Sequence, residues 1–301
     1  MTPFYSAGAI KDQPPRTPLD PAAATAYGRL VDAAYEMYAT GTDLFPERPS
    51  DFPPAFRMTA WVTMSDFAFL GEKQKKFYGF VATEIDDPYS HLIVIRGTED
   101  HVEWWDDVMM WPWVFRPVPC AGLVHGGFYR IYRTMKVHRV GGGAMTSQTF
   151  ADQIEELVRG IAPSREPAGE HHVVVTGHSL GAALCTLYVM EHAIKKRKAG
   201  QKRHVTVERL CTFASPRVGM HRFVTQFDGL PIDSWRVVNE LDLVPKVPPR
   251  FLLFDHVASE YGFSSAGEIR DSWGCRHALN TYLHALDPSI AVDADCRRGV
   301  A

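Results

Sequence analysis

A chain of 301 residues is long enough to bury a sizeable core, as one large domain or two small ones. Its 46% hydrophobic and 22% charged content is that of a soluble globular protein, and no apolar run approaches a membrane span. The formal net charge of −3 excludes the broad basic surface expected of a nucleic-acid binder. Five cysteines without regular spacing read as neither a disulfide framework nor a metal-ligand set.

Residues 1–19 carry Pro3, Pro14, Pro15 and Pro18 without periodicity and read as an extended arm. Lys11 and prolines follow the short apolar start at once, which is not the pattern of a cleaved leader, so the expected compartment is the cytoplasm. Asp20-Pro21 is a helix start, an acidic cap before proline at the first helical position, and Leu30, Val31, Ala34, Tyr35 and Tyr38 recur at helical spacing until Gly41. Residues 42–57 read as proline-rich loop. Phe77 to Ile85 reads as a strand, and His91 to Ile95 as a strand buried on both faces that ends at Arg96-Gly97-Thr98. A tryptophan-dense segment runs from His101 to Phe115. His125 to Phe128 leads into a helix, Gly141 to Gly143 is a break, and Phe150, Ile154, Leu157, Val158 and Ile161 share a further helical face.

Val173-Val174-Val175 runs into Thr176-Gly177-His178-Ser179-Leu180-Gly181, with Ala182-Ala183 behind it. This is a buried strand, a very tight turn and a helix that starts at the serine; the basic residues from Lys195 to Arg203 read as its solvated end. Val205 to Phe213 and Trp235 to Val238 are strands, Phe251 to Asp255 reads as another, and the last helix is expected from His277 to Leu286. Buried strands alternating with helices imply an α/β fold, a mostly parallel central sheet with helices on both faces, over residues 20–301 as a single domain. Cys185 and Cys211 fall at buried positions of a helix and a strand.

The elbow carries the chemistry. Gly177 and Gly181 leave room where a Cβ would meet a neighbouring strand or helix, so Ser179 stands clear of the sheet. The Leu180 N–H then points from the helix start, where developing negative charge is favoured. The alternative is an ordinary serine cap in a glycine-flanked turn. A serine hydroxyl is a poor nucleophile without a histidine base, and that base needs a carboxylate to orient it. Asp242 lies just past a strand, with Glu240 and Asp233 as rivals. Three histidines follow, His256, His277 and His284, and spacing alone does not choose among them.

Together, Ile93 to Thr98, Trp104 to Asp107, Val124 to Phe128, Thr176 to Gly181 and Asp242 to Pro245 resemble the class 3 (fungal-type) lipase family of α/β hydrolases. The resemblance covers about residues 77–286. It implies that Ser179 is the nucleophile, Asp242 the triad acid and the Thr98 and Leu180 amides the oxyanion hole. It also favours His277, in His-x-x-x-x-Tyr-Leu, as the base over His256 and His284. In that family the tryptophan-dense position carries the cover over the active site, here about residues 101–117. Trp104 and Asp107 match its hinge, Asp107 being placed to accept a hydrogen bond from the Thr98 hydroxyl, and Trp111, Trp113 and Phe115 fall in its lid or acyl-binding part. The tryptophan density also fits ordinary core.

The expectation is therefore a serine carboxylic-ester hydrolase, a lipase acting on acylglycerols at a lipid–water interface, without metal, cofactor, nucleic-acid partner or transmembrane segment. Short-chain carboxylesterase, phospholipase A1 and feruloyl esterase use the same triad. An inactive α/β-hydrolase fold used as a binding protein is the alternative of another class.

Overall fold

The Asp20 carboxylate accepts from the Ala22 and Ala23 N–H groups, and Pro21 takes the first helical position of helix α1 (Pro21–Ala39), the start that the sequence predicts. The computed structural model describes residues 17–41, 44–65, 75–98, 111–142, 145–161, 170–194, 204–257 and 259–298. Of the arm over residues 1–19, only 17–19 fall in that range, and the basic residues from Lys195 to Arg203 lie outside it. The Thr17 carbonyl accepts the Trp235 indole N–H at 3.0 Å.

Strands β1 (Phe56–Ser65), β2 (Lys75–Glu84) and β3 (Ser90–Ile95) follow as an antiparallel run. β1 corrects the reading of 42–57 as loop at its last two residues and adds a strand that the sequence did not reveal. Two register shifts against β2 break the strict alternation by which a strand is recognised. Next come β4 (Pro112–Val114), β5 (Leu123–His125), helix α2 (Gly126–Tyr132), β6 (Lys136–Arg139), α3 (Phe150–Arg159), β7 (His171–His178), α4 (Leu180–Ile194), β8 (Val205–Phe213), β9 (Gly219–Met220), α5 (His221–Asp228), β10 (Asp233–Asn239), β11 (Phe254–Asp255), β12 (Ser259–Phe263), α6 (Trp273–His277) and α7 (Leu279–Leu286).

The large sheet has the order β12-β10-β8-β7-β3-β2-β1-β6. It is parallel from β12 to β3 and antiparallel from β3 to β6. Side chains alternate across it: Leu92 and Val94 pack with α1 and α7, while Ile93 and Ile95 pack with α2, α3 and α4. Helix α4 is apolar on nearly every side because it is buried directly beneath the sheet. A second sheet, β11-β9-β5-β4, is antiparallel throughout and built from strands of two or three residues, too short to leave a pattern in the sequence.

Three further expectations are corrected. Of Phe251 to Asp255 only Phe254–Asp255 is strand, and Arg250–Leu252 is a short 3-10 turn. His277 does not open the last helix but closes α6, and the extended backbone of Ala278 separates it from α7. Cys275 and Cys296 form a disulfide, although cysteine number and spacing suggested none. Pairing across 21 residues is a matter of three-dimensional approach, which spacing does not report. Cys185 and Cys211 are buried free thiols, as read.

Candidate active site

Strand β7 delivers Ser179 at its carboxyl end with φ +55°, a left-handed conformation that a non-glycine residue adopts only when its surroundings impose it. The Ser179 N–H donates to the Phe213 carbonyl at 3.0 Å, which ties the turn to β8. A Cβ on Gly181 would lie 2.2 Å from the Ile95 carbonyl oxygen, so α4 can start this close to β3 only with glycine there. Gly97 is equally tight: its Cβ would come within 2.9 Å of the Ser179 Cβ.

Across this turn lies a buried relay. The Ser179 hydroxyl is 2.9 Å from His277 Nε2, and His277 Nδ1 is 2.7 Å from Asp242 Oδ2. All three residues are about 1% exposed. A neutral imidazole that gives its Nδ1 proton to the carboxylate leaves Nε2 free to accept the serine proton. Asp242 is itself held: the Tyr282 hydroxyl donates to Oδ2 at 2.6 Å and the Val244 N–H to Oδ1 at 2.9 Å. Burial, followed by the nearby Asp242 charge, raises the Tyr282 phenol well above its ordinary range, so it stays a donor. The rivals are engaged elsewhere. His284 Nδ1 faces the Ile290 carbonyl at 2.7 Å, and His256 Nε2 faces the Pro245 carbonyl at 2.7 Å. Asp233 pairs with Arg209 at 3.0 Å, and Glu240 is exposed.

A second relay escaped the sequence reading. The Tyr35 hydroxyl, from α1, accepts the Gly97 N–H at 2.8 Å and therefore donates to His178 Nδ1, also at 2.8 Å. His178 Nε2 is left as the donor to the His277 carbonyl at 3.0 Å. This tautomer follows from the hydrogen-bond network. Arg96, buried with no carboxylate partner among the described residues, donates to the Gly97 and Phe77 carbonyls and lies 3.5 Å from the ring centroid of Tyr38. Both polar groups of Gly97 are thereby committed, and the peptide leading to Thr98 is fixed. Thr98 is buried, and its N–H has no acceptor among the described residues. Leu180 opens α4, where first-turn N–H groups have no partner within the helix. Only Tyr35 and Tyr38 at helical spacing hinted at these contacts.

Trp104 and Asp107 lie outside the described residues. Trp111 and Trp113 are exposed, at 74% and 46%. Phe115 is different: it is fully buried, edge-on to Tyr129 and Phe223 at 5.4 and 5.9 Å, and its N–H donates to the Gly122 carbonyl. Strand β4 pairs with β5, and the Phe115 ring belongs to the core cluster.

The model of the lipase (class 3) family matches residues 92–252. The chain belongs to the class 3 lipase family. Among curated relatives, it is 32% identical over 240 residues to the rice (Oryza sativa subsp. japonica) protein named phospholipase A1-II 6, covering 71% of this chain and 56% of that one. It is 26% identical to the Arabidopsis thaliana protein named phospholipase A1-Igamma2, chloroplastic, covering 74% and 42%. The chain thus spans about half the length of these relatives. Among solved structures, the nonglycosylated Yarrowia lipolytica LIP2 lipase superposes with a TM-score of 0.55 at 19% identity, covering 80% of this chain and 78% of that one. The fold is that of the α/β hydrolases, and the family membership agrees with the elbow, the Arg-Gly turn and the segment that begins at Asp242.

Proposed function

We propose that this chain is a serine carboxylic-ester hydrolase of lipase type. The observation that carries the reading is the unbroken relay from Tyr282 through Asp242 and His277 to Ser179, beside the Thr98 N–H, which has no acceptor among the described residues, and the start of α4. Ser179 Oγ bonds to the ester carbonyl carbon while its proton passes to His277 Nε2. The Thr98 and Leu180 amides hold the oxyanion. His277 then protonates the leaving alcohol as the C–O bond breaks, and water, activated by the same imidazole, releases the acid. Asp242 keeps His277 in the required tautomer throughout. No step calls for a metal or cofactor.

Acylglycerols are the first substrate class proposed, and the exposed Trp111 and Trp113 suit contact with a lipid surface. Phospholipids are the second, favoured by the names of the plant relatives. Hydrolysis of triacylglycerol and phosphatidylcholine of matched acyl length, against a dissolved short-chain ester and a feruloyl ester, separates lipase, phospholipase, esterase and feruloyl esterase. Labelling by a fluorophosphonate that is lost in Ser179→Ala supports the nucleophile; no labelling of the native chain points to an inactive binding fold. Residues 20–301 are proposed to act as one domain; of the cover expected over about 101–117, residues 101–110 lie outside the described residues. The described helices include none long and apolar enough to cross a membrane. Fractionation of the full protein tests the cytoplasmic placement expected from the sequence against an oxidising compartment, which the Cys275–Cys296 bond favours.

A further inference from the structure

At the edge of the large sheet, where β10 ends at Asn239 and β12 at Phe263, a pocket of about 620 Å³ opens. Arg270, Arg276, Arg297 and Arg298 line it, with Asp271 as the one carboxylate among the lining residues. It lies at the same carboxyl end of the parallel strands as Ser179. Its lining includes Leu241 and Arg276, the chain neighbours of Asp242 and His277, but none of Ser179, Asp242 or His277 themselves. This end of an α/β sheet is where ligands bind.

The arginines come from segments fastened to one another. The Cys275–Cys296 bond joins the helix that carries Arg276 to the segment that carries Arg297. The Arg270 N–H donates to the Cys296 carbonyl at 2.8 Å, and Ile269 forms a bridge with Arg297. Asn239 Nδ2 donates to the Arg276 carbonyl at 2.8 Å and to Ser265 Oγ at 2.9 Å, which ties the pocket to the strand leading to Asp242.

The charges are not balanced from within. Asp271 pairs with Arg276, while Arg298 donates to the Gly267 carbonyl and Arg297 to the Val292 carbonyl. The Arg270 guanidinium has no hydrogen-bond or ion-pair partner among the described residues, and the buried Nε of Arg276 has none either. A solvated face would intersperse signs; here four cations meet one anion in a concave site. Planar guanidinium forks match the oxygens of a phosphate, whose charge approaches −2 and which offers three acceptor oxygens.

We propose that this pocket binds a phosphomonoester-type anion, either as a free phosphate compound or as an anionic lipid headgroup, apart from the ester-cleaving site. The inference stands independently of the proposed hydrolysis, and binding is therefore measured in the Ser179→Ala chain, where lipid is not consumed. One arm titrates inorganic phosphate and glycerol 3-phosphate by calorimetry. The other measures cosedimentation with phosphatidylcholine vesicles, plain or doped with phosphatidic acid.

In the arm that shows binding, Arg270→Gln and Arg298→Gln each weaken it about tenfold, and together about a hundredfold. Added salt weakens the native interaction. Arg270→Lys retains part of it, because the charge survives without the fork. In the chain with Ser179 intact, the double substitution changes turnover of a dissolved ester by less than about twofold, as expected of exposed residues outside the hydrogen bonds of the triad. Binding of soluble phosphates assigns the free source, and binding of doped vesicles alone assigns the headgroup. Absence of binding in both arms, or equal binding by the native and doubly substituted pockets, overturns the proposal.

Discussion

Around Ser179 nearly every polar group is spoken for, and in the small β11-β9-β5-β4 sheet the surface is left open. At the elbow, Tyr35, His178, Asp242, His277 and Tyr282 hold one another through hydrogen bonds of 2.6–3.0 Å, at buried positions except for the half-buried Tyr35. Trp113 and Val114 on the edge strand β4, and Phe251 and Leu253 in the turn that leads into the other edge strand β11, face solvent. The molecule thus separates position from area. Proton transfer needs atoms placed to a few tenths of an ångström, which burial and mutual hydrogen bonding supply. Adsorption to an apolar partner needs exposed area, which short edge strands display without disturbing the core.

Emptying the relay has the largest expected effect. Ser179→Ala and His277→Ala are each expected to lower kcat by about 10³-fold or more, with similar values because the groups act as a unit. His284→Ala should stay within about twofold. An inactive His284→Ala beside an active His277→Ala would falsify the assignment of the base.

Phe115 tests where the core ends and the open surface begins. Phe115→Ala should destabilise the fold by about 3–5 kcal/mol in chemical denaturation, the loss expected for a fully buried ring. A change under about 1 kcal/mol would put that ring back in a movable cover.

Burial also makes stability depend on pH. Desolvation lowers His91 to about 3, His125 to about 4 and His256 to about 3, so the fold holds them neutral. Their contribution is complete above the unfolded value of about 6.5 and is lost as pH falls towards the folded ones. Asp32 acts the other way: burial raises it to about 6, so the fold binds its proton first as pH drops. Three histidines opposed by one carboxyl leave about two protons taken up on unfolding between pH 6 and 4, up to about 3 kcal/mol per pH unit. Melting temperatures across this range should fall on acidification, and Asp32→Asn should steepen the fall by about one proton. A flat profile counts against the neutral, buried state of these imidazoles.

Tyr282→Phe removes one donor from Asp242 but keeps the ring. The expected result is a loss of about tenfold in kcat with KM little changed, whereas an equal loss in a binding-only assay would mark the ring as packing alone. The smallest expected effect on stability belongs to Trp111→Ser with Trp113→Ser, within about 0.5 kcal/mol, with dissolved-ester turnover retained. The same pair should lower turnover on emulsified substrate. Equal turnover on both kinds of substrate would remove the tryptophans from any interfacial role.

Several elements were legible because their causes are local. The Asp20-Pro21 cap, the β-branched run before Ser179 and the small residues after it determine backbone geometry within a few positions. Their outcome, α1 and the β7–α4 elbow, matches the reading. The end of β10 left Asp242 with Glu240 and Asp233 as rivals, and the resemblance of Asp242 to Pro245 to the lipase family chose among them. β1 was not legible, because its register shifts mix the two faces, and β4, β5, β9 and β11 are too short to show a period.

The sequence by itself thus determined the alternation of strands and helices, the parallel half of the sheet and the serine turn, all written in residues that are neighbours along the chain. Tertiary structure decided which histidine meets that serine. Spacing does not choose among His256, His277 and His284, but only His277 is carried by α6 into contact with Ser179, a residue 98 positions earlier. It also decided that Phe115 faces the core while Trp113 faces water, that Cys275 finds Cys296, and that four arginines share one pocket. Each of these depends on distances between segments far apart in the chain, which are set by packing and hydrogen bonding, whereas local spacing records only which side of its own element a residue occupies.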